Sequence, residues 1–227
     1  MHSHLIPNVL DPGELTRVRA LIQRSRFVHG SESASGAAEQ VKANEQLQCA
    51  PEDGRMLAEL VFQALGRSRE FHRQALPLEM SVPMINRYGV GMSYGPHFDR
   101  AFMMGASGRQ IRTDLSATLF ISPPADYDGG ELHIVEGGQD ELVKLDAGNL
   151  ILYPSCILHS VSAVTRGARH AIIFWVQSMI RDHEQRNLVS GLDQVLGSLA
   201  ERMPGSTEVR DLSGTVNSLT RMWGETG

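Results

Sequence analysis

NLILYPSCILHSVSAVTRGARHAIIFWVQS, residues 149–178, decides what this chain folds into. Three runs rich in β-branched and aromatic residues, NLILYP, HSVSAV and HAIIFWVQS, follow one another with no helix-length pattern between them. Such residues fit a pleated, half-buried surface, and branching at Cβ makes them stiff in a helix. TRGA at 165–168 supplies a glycine-bearing turn, so HSVSAV and RHAIIFWVQS are expected to form a hairpin. Upstream, SVPMINRY, LSATLFIS and GELHIV repeat the strand pattern, and YDGG, EGGQD and DAGN punctuate it. Short strands at this spacing predict an antiparallel sandwich or barrel. A parallel α/β sheet would need helices between its strands, and the sequence has none there.

The two ends read as helical. In DPGE, residues 11–14, Asp11 can cap a helix, Pro12 suits the first helical position, and Glu14 completes a capping-box spacing. Leu15, Val18, Leu21 and Ile22 then share one face. A second helix is expected over 53–66, with Met56, Leu57, Leu60, Val61 and Ala64 in phase. GSESASGAAEQ, residues 30–40, reads as a mobile loop. Beyond 181 the helical period returns, first with Leu188, Val189, Leu192, Val195, Leu196 and Leu199. After MPGST it continues with Val209, Leu212, Val216 and Leu219. The expected class is α+β with a mainly β core, residues 78–178. Residues 1–77 form a helical and β support region, and 179–227 a helical extension. These C-terminal helices should cover the outside of the β core, with a homodimer partner as the second candidate.

Totals narrow the function. The chain has 227 residues, 41% of them apolar and 21% charged, with a formal net charge of −5. That suits one medium domain with appendages. No basic stripe suggests nucleic acid, and no apolar run is long enough for a membrane span. The first residues, MHSHLIPNVLDPGE, lack the basic-then-apolar order of a secretion signal. Cys49 and Cys156 lie far apart, which fits a reducing, cytoplasmic setting, and Cys156 in SCILH reads as a small buried hydrophobe.

Nine histidines are present. His2 and His4 are expected at a frayed N-terminus, and His133 on the outer face of its strand. In YGPHFDR, residues 94–100, His97 and Asp99 stand at i and i+2, so in an extended chain both point to one side. Two ligands hold a divalent ion poorly, and His159 at the end of NLILYPSCILH is the best third. Two histidines and one carboxylate on one face of a metal leave the other face open, the arrangement of non-haem Fe(II) sites that use O2. Arg169, ten residues after His159, can clamp a carboxylate with its planar fork.

The pattern Tyr88–Gly89, Tyr94, His97-x-Asp99, His159 and Arg169 resembles the Fe(II)/2-oxoglutarate-dependent dioxygenases of the prolyl 4-hydroxylase type, in particular the bacterial PKHD-type hydroxylases. QVKANEQL, NRYGVGMSYGPHFDRAFM, RTDLSATLFIS, YDGGEL and YPSCILHSVSAVTRGARHAIIFWVQSMIRD carry it, so it covers nearly the whole chain. The resemblance implies a double-stranded β-helix, or jelly roll, with Fe(II) on His97, Asp99 and His159. It implies 2-oxoglutarate on Arg169 and Tyr88, O2 as co-substrate and ascorbate as a reductant. The loop after Tyr88 is one residue shorter than in some relatives, and a tyrosine often found on the next strand is replaced in LSATLFIS. The implied reaction hydroxylates a C–H bond and decarboxylates 2-oxoglutarate to succinate and CO2. The substrate would be a small molecule, a peptide or an amino acid, with a link to iron uptake among bacterial relatives.

Two other readings compete. One is a non-catalytic, metal-bearing jelly roll that binds or senses a ligand. The other is an interaction protein in which HxD is coincidental. Within the dioxygenase reading, 101–112, AFMMGASGRQIR, is a candidate substrate lid, with Arg109 and Arg112 suited to an anionic substrate. The pocket wall would include Ile173, Phe174 or Trp175, depending on strand register.

Overall fold

A computed structural model describes residues 3–30 and 40–226 of the chain. The loop expected at 30–40 lies outside the described residues, except for its two ends. The chain begins with β1 (His4–Ile6), α1 (Pro12–Arg24), β2 (Arg26–His29), β3 (Lys42–Ala43) and β4 (Glu45–Gln48). α2 (Pro51–Arg67) and α3 (Arg69–Ala75) follow. Then come β5 (Pro77–Met80), β6 (Met84–Tyr88), β7 (Ser93–His97), β8 (Phe102–Met104), β9 (Gln110–Arg112) and β10 (Leu115–Phe120). Next are β11 (Tyr127–Gly129), β12 (Leu132–Glu136), β13 (Gln139–Val143), β14 (Leu150–Pro154), β15 (Leu158–Val161), β16 (Val164–Gly167) and β17 (Arg169–Ser178). The helices α4 (His183–Arg202) and α5 (Thr207–Trp223) end the chain.

The strands form two main antiparallel sheets. The larger runs β1-β14-β10-β17-β6-β4-β2, with β5 also on β17, and the smaller runs β13-β12-β15-β7-β3. Alternation along each strand sorts the side chains between two layers. On one face of the large sheet, Ile85, Ala117, Leu119, Leu152, Ile172 and Phe174 pack against α1, α2 and α3. On the other face, Tyr88, Phe120, Ile151 and Tyr153 meet Leu132, Ile134, Val143 and Val161 of the small sheet. The molecule is therefore three layers: helices, large sheet, small sheet. Phe174 is fully buried in the first interface, and truncating a core phenylalanine to alanine costs about 3–5 kcal/mol.

The helix signals read from sequence hold. Asp11 accepts from the Glu14 backbone at 2.8 Å, and the Glu14 carboxylate accepts from the Asp11 backbone at 3.0 Å. The second helix starts at Pro51, two residues before the expected 53, because proline is pre-set for a first turn.

Several expectations are corrected. HSVSAV and HAIIFWVQS do not form a hairpin. β15 pairs with β12 and β7 in the small sheet, whereas β17 pairs with β10, β6 and β5 in the large one. Glycine turns leave strand partners unspecified, and here the chain uses TRGA to change sheets. His4 is not frayed: β1 adds to β14 with His4 opposite Leu152. Cys156 is exposed, not buried, because it falls on the turn after β14. The C-terminal helices do not cover the sheet face, which α1 to α3 already occupy. Val189, Val216 and Ile180 form a separate cluster with Leu76, Leu192, Leu196 and Leu212, while Leu188 and Val195 stay exposed. Segment 101–112 contains the β8–β9 hairpin. Within it Arg112 grips Asp114 and Glu225, and Arg109 lies near Glu79.

Candidate metal centre

His97 and His159 are cross-strand partners. They face each other in the β7–β15 pairing, although 62 positions separate them in sequence. Asp99 follows His97 by two residues, with Phe98 between them turned out to solvent at 59% exposure. The i, i+2 geometry read from YGPHFDR thus holds.

The ring nitrogens have defined roles. His97 Nδ1 lies 2.8 Å from the Gly95 carbonyl and His159 Nδ1 lies 3.0 Å from the Ile157 carbonyl. A carbonyl oxygen only accepts, so both Nδ1 atoms carry the proton and both Nε2 lone pairs are free. These lone pairs face Asp99, with His97 Nε2 4.0 Å from Oδ1 and His159 Nε2 3.6 Å from Oδ2. Three acceptors converge on one point, and the candidate ligand atoms all lie within 4.8 Å of one another. Such a cluster repels itself unless a cation sits inside it.

The surroundings keep the cluster in this state. Burial, then the neighbouring His159, lowers the His97 pKa to about 4, so the ring is neutral at neutral pH. Tyr94 stacks on His97 with ring centres 3.5 Å apart. Ser116 donates to Asp99 Oδ2 at 2.5 Å and meets Ser155 at 2.7 Å, fixing the carboxylate's orientation. Two nitrogens and one carboxylate oxygen suit a divalent transition metal, and three protein ligands leave room for others.

The cluster opens into a cleft of about 840 Å³, mouth included, between the two sheets. At its closed end Arg169 is 1% exposed and lies across from Tyr88 in the β17–β6 pairing. Its Nε and Nη1 are buried with no hydrogen-bond partner, as is the Tyr127 hydroxyl. Gly130 (φ +68°) allows this approach, since a Cβ there would stand 3.2 Å from both Arg169 Cδ and a Tyr127 ring carbon. Arg169 also has the Tyr88 and Phe120 rings 5.3 and 5.1 Å away. A buried guanidinium with idle donors is costly unless an anion completes it. A carboxylate-bearing ligand between the metal point and Arg169 fits that demand.

The strand register settles the pocket wall. Ile173 and Trp175 line the cleft, and Phe174 lies on the helix side. Of 101–112, Met103 lines the cleft, whereas neither Arg109 nor Arg112 does. Sequence reasoning missed Lys42, Asn86, Ser116, Thr118 and Tyr153. A signal for two of them was present: Ser116 and Thr118 share a face in LSATLF, a strand buried throughout, where polar pairs need a purpose. Burial raises the Tyr153 and Tyr88 pKa values, so both hydroxyls stay protonated as donors. Desolvation lowers Lys42 to about 8.

Comparison with known proteins agrees in one direction. Residues 83–177 match the 2OG-Fe(II) oxygenase superfamily. A PKHD-type hydroxylase of Nitrobacter winogradskyi is 44% identical over 98% of this chain and 99% of its own. One from Beijerinckia indica is 42% identical over 97% and 98%. In fold, the chain is similar to a prolyl hydroxylase from Trichoplax adhaerens solved with a hypoxia-inducible-factor peptide fragment. The TM-score is 0.56 at 18% identity, over 82% of this chain and 86% of that one.

Proposed function

The chain belongs to the PKHD-type hydroxylases, within the 2OG-Fe(II) oxygenase superfamily, and from that premise we propose that His97, Asp99 and His159 hold its Fe(II) while Arg169 and Tyr88 hold its 2-oxoglutarate. It is a 2-oxoglutarate-dependent dioxygenase. The two facing sheets are read as the jelly roll of that family. The reaction is hydroxylation of a C–H bond in a small-molecule, amino-acid or peptide substrate, with succinate and CO2 formed from 2-oxoglutarate. The observation that carries this reading is one cleft with three converging acceptors at its middle and two idle guanidinium donors at its closed end.

Bound iron and 2-oxoglutarate supply the O2-dependent oxidation itself. The protein's work is placement. Carbonyls of Gly95 and Ile157 hold the imidazoles in the Nε2-coordinating tautomer. Ser116 holds one carboxylate oxygen of Asp99. Arg169 receives the distal carboxylate, and the Tyr88 hydroxyl, kept protonated by burial, donates to it. Phe120, Leu132 and Val161 keep water from that end.

Succinate release from 2-oxoglutarate, measured in air with added Fe(II), tests the reading. Wild type should turn over slowly without substrate, and His97→Ala should fall more than about 100-fold, since even outer partners of metal ligands are worth 10–100-fold. Equal rates in the two proteins would refute it.

A further inference from the structure

The closed end of the cleft holds more than Arg169. β11 pairs with β16, Tyr127 opposite Gly167, and Gly167 precedes Arg169 by two residues. The pairing therefore carries Tyr127 to the start of β17. Gly167 (φ +71°) lets the two backbones touch, since a Cβ there would overlap the Asp126 carbonyl oxygen. Lys144 also holds Tyr127. Its ammonium lies 4.2 Å from the Tyr127 ring centre and donates to the Tyr127 carbonyl at 2.9 Å. Ring and backbone are both fixed, and the residue is fully buried.

What this leaves over is the Tyr127 hydroxyl. It is buried without a hydrogen-bond partner, as are Nε and Nη1 of Arg169. The two side chains meet over Gly130, where one added Cβ would stand 3.2 Å from each. Burial raises the Tyr127 pKa and the Arg169 guanidinium opposes the rise, so the groups are neighbours even where their bond geometry is unmet. The hydroxyl stays neutral and keeps lone pairs to offer. Arg169 has N–H donors and no acceptor, and the Tyr88 and Phe120 rings beside it present π faces. Unpaired buried polar atoms are rare in native proteins, and here an orphaned acceptor adjoins orphaned donors. Tyr127 is not part of the cleft lining, so it reaches a ligand only through Arg169. A bidentate carboxylate occupies one edge of the guanidinium fork, and the N–H groups at the other edge still need an acceptor.

We propose that Tyr127 is a positioning residue for the co-substrate: its hydroxyl accepts an inner N–H of Arg169 and aims the outer edge of the guanidinium at the distal carboxylate of 2-oxoglutarate. This rests on the dioxygenase reading and adds a residue to it. Phenylalanine at 127 would keep the ring and its Lys144 contact and remove only the acceptor. The loss should therefore be felt only by a ligand that carries a distal carboxylate.

The test uses the whole protein with Fe(II), without oxygen. The visible charge-transfer band of the iron–2-oxo-acid chelate reports binding. The probes are 2-oxoglutarate and 2-oxovalerate, which share the keto acid end and the carbon chain, and 2-oxovalerate lacks the distal carboxylate. Tyr127→Phe should weaken 2-oxoglutarate about tenfold, the scale of one hydrogen bond to a charged group, and leave 2-oxovalerate within about twofold. In an Arg169→Met background the same change should weaken 2-oxoglutarate by less than about twofold, because Tyr127 acts through Arg169. In turnover the loss should appear in the KM for 2-oxoglutarate rather than in kcat. The metal-free melting temperature should match wild type, since the orphaned hydroxyl bonds nothing there. If wild type gives no band with 2-oxoglutarate, the dioxygenase reading falls and this proposal with it. If the band forms, the proposal falls alone when Tyr127→Phe leaves 2-oxoglutarate affinity unchanged or weakens both 2-oxo acids alike. It also falls if the full loss persists in the Arg169→Met background, or if Tyr127→Phe no longer melts cooperatively, which would mark a structural role.

Discussion

Arg169 in the cleft and Arg186 in the C-terminal helical unit are 1% and 2% exposed. By burial they are equals. Their bonding separates them. Arg186 Nη1 donates to the Ile180 carbonyl at 2.9 Å and reaches the Arg181 carbonyl at 3.4 Å, tying α4 to the strand end before it. Arg169 donates its buried Nε and Nη1 to nothing. One arginine completes a structure, and the other waits for a ligand. Burial alone is therefore a poor guide to function, and unsatisfied burial is a better one.

The largest expected effect would break or keep that contrast. Arg169→Met should raise the KM for 2-oxoglutarate by about 100-fold, the loss of a desolvated charge pair. Without 2-oxoglutarate its melting temperature should equal or exceed that of wild type, because an unpaired buried charge has been replaced by an apolar chain. Adding 2-oxoglutarate should raise the melting temperature of wild type and leave Arg169→Met unmoved. Arg186→Met should do the opposite: stability falls by about 1–3 kcal/mol as its carbonyls lose their donor, while KM is unchanged. Identical behaviour of the two variants would end the distinction.

A smaller effect sharpens it within one strand and the residues just after. Ser116 bonds Asp99, whereas Ser122 bonds His170 Nδ1 and the Ala168 carbonyl. Ser116→Ala should weaken metal binding by about tenfold, measured by titration with Co(II) or Fe(II). Ser122→Ala should leave metal affinity unchanged.

The smallest effect is on pH dependence. Burial is the first cause of lowering for both His97 and His170, and each falls to about 4. The unfolded chain takes up protons near pH 6.5 and the folded chain only near 4, so stability is full above 6.5 and is lost as pH falls between those values. Each histidine should contribute about 2 kcal/mol of loss between pH 7 and pH 5. Chemical denaturation at pH 7 and pH 5 should show a smaller drop for His170→Gln than for wild type. Bound metal should add to the wild-type drop, since its ligands must stay unprotonated.

Much of this was legible in the chain. The period-2 runs marked the strands of both sheets, and DPGE marked α1 down to its reciprocal capping bonds. HxD placed two candidate ligands on one side with no tertiary information. The misses share a cause. Cys156 looked buried because its neighbours are apolar, but a turn places it outside. The KANEQ segment carries Lys42, yet only its passage between sheets turns Lys42 toward Asp99.

By itself the sequence determined which residues alternate, where helices begin, and that His97 and Asp99 point together, because these follow from dihedral preferences over a few residues. Only the tertiary structure decided that His159 faces His97, and that Arg169, ten residues later, looks back from the opposite sheet. Strand pairing is a contest among many distant segments, won by shared burial, and no local pattern records the winner.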